Sequence, residues 1–314
     1  MGTYPYKFTK ILVNFVVLET NFAMKLEGRR ESTNVDDRRG SGSTVGTIGG
    51  LGIGGLIIVG LLTWLLGGDP TTVIQEAGGV LGNGGQLAEG YTPTAEEEEL
   101  AKFSKQILAG TEDVWTEIFR QNGLTYQPPK LVLFSGAVQS GCGGATSSSG
   151  PFYCSADQCV YLDLSFFTSM KKQIGADGDF AYAYVIAHEV GHHVQNQLGT
   201  LGKAHQQMSR YKANSKEYNQ ISVRLELQAD FYAGVWAHHD NKMYNSLEAG
   251  DIDEGLAIAA KIGDDYLQKQ AYGYTVPDSF NHGTSAQRSK WLKKGIATGD
   301  PSQGDTFSIA YNSL

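Results

Sequence analysis

VIAHEVGHHVQ, residues 185–195, is the stretch from which the rest of the chain is read. His188 and His192 are four apart and Glu189 follows the first, an H-E-x-x-H arrangement. On an α-helix, residues i and i+4 stand one above the other on one face. Two imidazoles so placed can reach one metal ion at about 2 Å. Glu189, one position round the helix, brings a carboxylate within reach of a water at that ion and can take its proton. The apolar run before the motif suits a helix, predicted here over residues 180–197.

A catalytic zinc usually takes three protein ligands and leaves a position for water. The metzincin extension is missing, because Gln195 and Leu198 stand where that pattern wants Gly and His. The third ligand must then come from elsewhere. ELQAD, residues 226–230, is the candidate, on a second helix predicted over residues 222–238. Glu226 and Asp230 are also four apart, so Glu226 can ligate while Asp230 accepts the free N–H of a ligand histidine and fixes its tautomer. Ala229, Ala233, Gly234 and Ala237 are small enough to let two helices approach closely. His193 points about 100° away from His192. His205 (in a polar stretch read as loop), His238 and His239 are weaker candidates. A tetrahedral oxyanion needs a donor besides the metal; His282, Tyr272, Tyr274 and Arg288 are candidates, and His282 is taken as the catalytic one.

The 314-residue chain is long enough for one large or two ordinary domains with a real core. Residues 45–66 run 22 positions without a charge, the length a bilayer core asks of a helix. Their many glycines would weaken a water-soluble helix but are tolerated in membranes. Lys25, Arg29, Arg30, Arg38 and Arg39 precede the run, and the next basic residue is Lys102. Basic residues stay on the cytoplasmic side. The expectation is therefore a single-pass protein of the cytoplasmic (inner) membrane, with its N-terminus in and its catalytic domain outside. On that reading residues 1–43 are a cytoplasmic segment, of which 1–23 are an upstream extension before Met24 and the polar leader after Met24 is unfolded in isolation. Residues 44–67 form the span, 68–95 a Gly-rich flexible linker, and 96–314 the zinc-bearing domain. Residues 67–314 carry 18 basic and 28 acidic residues, a net −10 that argues against a nucleic-acid partner.

Within that domain, residues 96–107 and a second stretch opened by Thr111 predict two helices, and residues 130–134 a strand. Residues 159–163 predict another strand, either interior or an edge to which an extended peptide adds; the plain interior strand is the simpler reading. Ser165 can cap a short helix, residues 252–272 predict one long helix, and Thr284 or Ser285 caps a last one through residue 294. Cys142, Cys154 and Cys159 allow a bond from Cys154 to either of the others, and the residues alone do not choose.

GRRESTNVDDRRG, GCG, GPFYCSADQCVYLDLSFF, HEVGHHVQ, ELQADFYAGVWAHH and HGTSAQR, in that order, resemble the bacterial "putative neutral zinc metallopeptidase" family. The resemblance runs from about residue 24 to 295. It implies an α+β fold of zincin type, mainly helical with a small sheet, and zinc held between the two helices. It also implies ligation by His188, His192 and Glu226, Glu189 as base, and a disulfide between Cys142 and Cys154. The expected function is a membrane-tethered endopeptidase with one Zn2+ per chain, acting on a peptide or protein substrate. The alternatives are a catalytically silent zinc-containing scaffold or binding protein, and a zinc hydrolase of a non-peptide amide. An intact Glu189 and an open fourth position favour an enzyme.

Overall fold

The structure, a computed structural model, describes residues 24–40, 91–175 and 178–314. Among these, the first helix, α1 (Ala95–Gln121), begins where Thr94 and Glu97 close a reciprocal capping box. It runs straight through Thr111, where two helices are expected from sequence. The Thr111 hydroxyl donates to the Leu108 carbonyl inside the helix instead of capping a new one. Gly110 has a packing role: a Cβ there would lie 2.5 Å from Arg29 Nη2 and 2.6 Å from Asp240 Oδ1.

One four-stranded sheet carries the order β1-β2-β6-β5, made of β1 (Val35–Asp37), β2 (Lys130–Phe134), β5 (Phe152–Cys154) and β6 (Cys159–Asp163). β1, β2 and β6 run parallel, and β5 returns antiparallel to β6. A separate hairpin pairs β3 (Ala137–Ser140) with β4 (Gly143–Thr146). β6 is paired on both sides, so it is an interior strand, and β5 is the edge on its side. Every residue of β6 is buried, consistent with a strand covered on both faces.

α2 (Ser165–Ile174) follows β6 directly. Ser165 is its first residue; the capping acceptor is Asp163, whose Oδ1 takes the Ser165 N–H at 2.9 Å. α3 (Asp179–Gln197) and α5 (Lys216–Tyr244) carry the residues read as functional, and α4 (Thr200–Met208) lies between them. His205 therefore sits on a helix rather than a loop. The expected long helix of 252–272 is two, α6 (Asp251–Lys261) and α7 (Asp264–Tyr272). At the break a Cβ on Gly263 would collide with the backbone of Ser285, and Asp264 turns to bond the chain at 282–283. Thr284 caps α8 (Ser285–Thr298) with a second capping box. α8 lies against α5 through Gly234 and Gly295, where a side chain on either would run into the other helix's backbone.

The membrane-tethered reading is corrected. Among the described residues no helix is long and apolar enough to cross a membrane. Residues 45–66 lie outside the described residues. Those just before them belong to the same fold as those after. β1 pairs with β2 in register Val35 to Leu131, Met24 is buried in the core, and Arg39 bonds the Glu97 carbonyl and the Glu98 carboxylate. A chain that crossed a bilayer once between residues 40 and 91 would put β1 and β2 on opposite sides of it. Residues 24–40 are thus no unfolded leader. The physical reason is that hydropathy reports on a run itself and is blind to pairing between its flanks.

Candidate metal centre

α3 and α5 can approach closely because Gly191 faces Ala229; a Cβ at Gly191 would lie 2.9 Å from the Ala229 carbonyl oxygen. Helical spacing then does the rest. His188, Glu189 and His192 on α3 and Glu226 and Asp230 on α5 all turn inward and are buried. Glu226 Oε2 stands 3.2 Å from His188 Nε2, and Oε1 stands 3.5 Å from His192 Nε2. One nitrogen of each imidazole and one carboxylate oxygen lie within 4.8 Å of one another, a group that could hold a metal ion.

Each imidazole is fixed from behind. His188 Nδ1 is 2.8 Å from Asp230 Oδ1, and the Asp230 carboxylate also accepts from Tyr184 Oη at 2.5 Å and from Arg288 Nε and Nη2 at 2.8 Å. His192 Nδ1 is 2.9 Å from Gln195 Oε1, while Gln195 Nε2 donates to the Leu225 carbonyl at 2.8 Å. Such outer contacts set the tautomer and aim of a ligating histidine. Sequence reasoning missed Tyr184 and Gln195. Their positions, four before His188 and three after His192, place both on the same helix face and are the available signal.

The electrostatics favour a cation. Burial works against a proton on His188, but the hydrogen bonds and charges of Asp230 and Glu226 outweigh it and raise the imidazole to about 10. His192, without such a close carboxylate behind it, is pulled down by burial to about 4. Burial alone would raise Glu226, yet the facing imidazoles hold it below the usual carboxylate range. Asp230, likewise buried, is kept ionised mainly by Arg288. Two imidazole nitrogens and a carboxylate around one point also match the donor set zinc prefers. The residues present fit the metal.

Glu189 lies beside this group. Burial raises its carboxyl to about 8, and its Oε2 is buried with no hydrogen-bond partner among the described residues. A carboxyl raised above its ordinary 4.5 holds its proton more tightly folded than unfolded, so its ionisation opposes folding. The zinc-free chain should therefore lose stability as pH rises from about 4.5 to about 8, and Glu189→Gln should remove that part of the slope. Urea midpoints of both zinc-free chains at pH 5 and pH 8 check this; parallel changes would refute it.

The oxyanion candidates separate. Tyr272 and Tyr274 are 52% and 63% exposed and do not line the pocket at the site. Arg288 lines it, but its guanidinium is engaged by Asp230 and by Tyr184. His282 lines it too, buried, with Nδ1 3.3 Å from Asp264 Oδ1. Asp264 Oδ2 accepts both the His282 and the Gly283 N–H, so one carboxylate sets the loop and the ring. The other histidines are elsewhere: His193 bonds the Tyr153 hydroxyl and the Gln127 carbonyl, His238 the Ile296 carbonyl, and His239 the Gly299 carbonyl. Cys142 and Cys154 are disulfide-bonded, and Cys159 is a buried free thiol.

No solved structure matches the chain. Among curated proteins it is similar to the uncharacterized protein YpfJ of Escherichia coli strain K12, 48% identical over 300 residues, covering 90% of this chain and 99% of that protein. It is also similar to the uncharacterized protein Rv2575 of Mycobacterium tuberculosis strain H37Rv, 47% identical over 195 residues, covering 59% of this chain and 64% of that one. A family model described as "Putative neutral zinc metallopeptidase" matches residues 24–307, which span β1, both histidine- and carboxylate-bearing helices and α8, and the chain belongs to that family.

Proposed function

We propose that the protein is a zinc-dependent endopeptidase of zincin type, with His188, His192 and Glu226 as ligands and Glu189 as general base. The observation that carries this reading is the unpartnered, buried Glu189 Oε2 beside a set of three ligand groups. A site that only stabilises a fold is usually closed by four protein ligands and has no use for a spare carboxylate. Zinc bound there would supply a Lewis acid for the peptide carbonyl and a water of lowered pKa. Glu189 takes the proton of the attacking water and later delivers it to the leaving amine. His282, held through Nδ1 by Asp264, turns its other edge to the pocket and donates to the developing oxyanion. Asp230 and Gln195 keep the two ligand imidazoles aimed while this happens.

The test uses the full chain, since residues 24–40 supply part of the sheet. Zinc per chain and cleavage of a mixed peptide library are measured on the same sample, before and after a zinc chelator. One zinc per chain, with cleavage lost on chelation and restored by zinc, is the expected result. Zinc without cleavage would point to a scaffold or a non-peptide substrate, and absence of zinc would remove the site itself.

A further inference from the structure

Beyond the ligands and the base, the pocket at the site has a second face of different chemistry. Pro151, Phe166, Met170, Val185 and Ile262 line it together with the polar groups already described. Their origins explain why they converge. Phe166 and Met170 are four apart on α2, so they share one face. Val185 stands four before Glu189 on α3, one turn from the base. Ile262 follows the end of α6, and Pro151 immediately precedes the edge strand β5. No Lys and no Asp lines the pocket, and the carboxylates that do are Glu189 and Glu226. The guanidinium of Arg288 is already bound by the Asp230 carboxylate and the Tyr184 hydroxyl, so it has little attraction left for an acidic group.

We propose that this wall is a specificity subsite for a large apolar side chain of the substrate, of leucine, methionine or phenylalanine type, next to the bond that is cut. The proposal rests on the peptidase reading given above. A charged side chain entering here would give up its water without gaining a partner, whereas an apolar one exchanges water for Phe166, Met170 and Ile262. Hydrophobic pockets discriminate by a factor of about 10–200 per methylene. Discrimination between leucine and aspartate should therefore exceed 10-fold. Met170 and Phe166 are the residues to change, because they come from a helix that carries none of the proposed ligands.

The experiment profiles cleavage positions in a peptide library with the full-length wild type, Met170→Trp and Phe166→Ala. In parallel, acetyl-Ala-Leu-Ala-amide and acetyl-Ala-Asp-Ala-amide are titrated into zinc-loaded Glu189→Ala, with and without Met170→Trp. Wild type should cut beside Leu, Met or Phe at least 10-fold more often than beside Asp or Lys. Met170→Trp should suppress cleavage beside Phe about 10-fold or more while sparing cleavage beside Ala, and Phe166→Ala should admit larger side chains. Cleavage without apolar enrichment, or an enrichment that neither substitution alters, would overturn the proposal. If wild type cuts nothing, the titration still decides. Tighter binding of the Leu peptide that Met170→Trp abolishes would uphold the subsite and refute the peptidase, and equal binding of both peptides would refute the subsite.

Discussion

Glu189→Gln should leave zinc bound at one per chain and lower kcat for peptide cleavage about 1,000-fold, the middle of the range for losing a positioned general base. Glutamine keeps the volume of the side chain and its capacity to accept a hydrogen bond. It cannot take a proton from water. Because the ligands are His188, His192 and Glu226 in the proposed scheme, metal content is the internal control. Loss of zinc along with activity would mean that Glu189 helps hold the metal, and full activity in the variant would remove it from the reaction. KM should change little, since the carboxylate acts on water rather than on the bound side chain.

Arg29→Ala should destabilise the fold by about 3–5 kcal/mol. Arg29 reaches Asp240 with two parallel bonds, Nη1 to Oδ2 at 2.8 Å and Nη2 to Oδ1 at 2.6 Å. The Asp240 side chain is 1% exposed, and the guanidinium also stacks 4.2 Å from the Tyr244 ring. Truncating the arginine strands a carboxylate in the interior, which costs far more than an exposed pair is worth. Replacing both partners with apolar groups, as in Arg29→Met with Asp240→Leu, should recover most of the loss. Urea denaturation of the three chains measures this. A loss below about 1 kcal/mol in Arg29→Ala would show that residues 24–40 are held by something other than this pair.

The candidate metal site is legible in the sequence because its chemistry favours a particular spacing. Groups on one helix face stand three or four apart, and that spacing marks His188 with His192 and Glu226 with Asp230 before any fold is known. What could not be read depends on partners brought from far along the chain. Arg288 looked like an oxyanion donor until α8 placed it against Asp230, and Gln195 acquires its role only because the Leu225 carbonyl lies opposite. Gly110 and Gly263 show the same limit from two sides. One looks like a helix end and is a packing contact inside α1, while the other lies within an apparently continuous helix and marks a true break. β1 left almost no trace, since three residues, Val-Asp-Asp, cannot display an alternating pattern.

The return of residues 24–40 to the sheet also sets a timetable for synthesis. Val35 waits for Leu131, and Arg29 waits for Asp240, which lies 211 residues later. At a translation speed of about 5–20 residues per second, that arginine spends on the order of 10–40 s without its carboxylate. The helices from α1 to α4 can assemble during that interval, so a segment made early is locked in place late. A chaperone bound to residues 24–40 as they emerge would delay that step while leaving the helices made before Asp240 free to form.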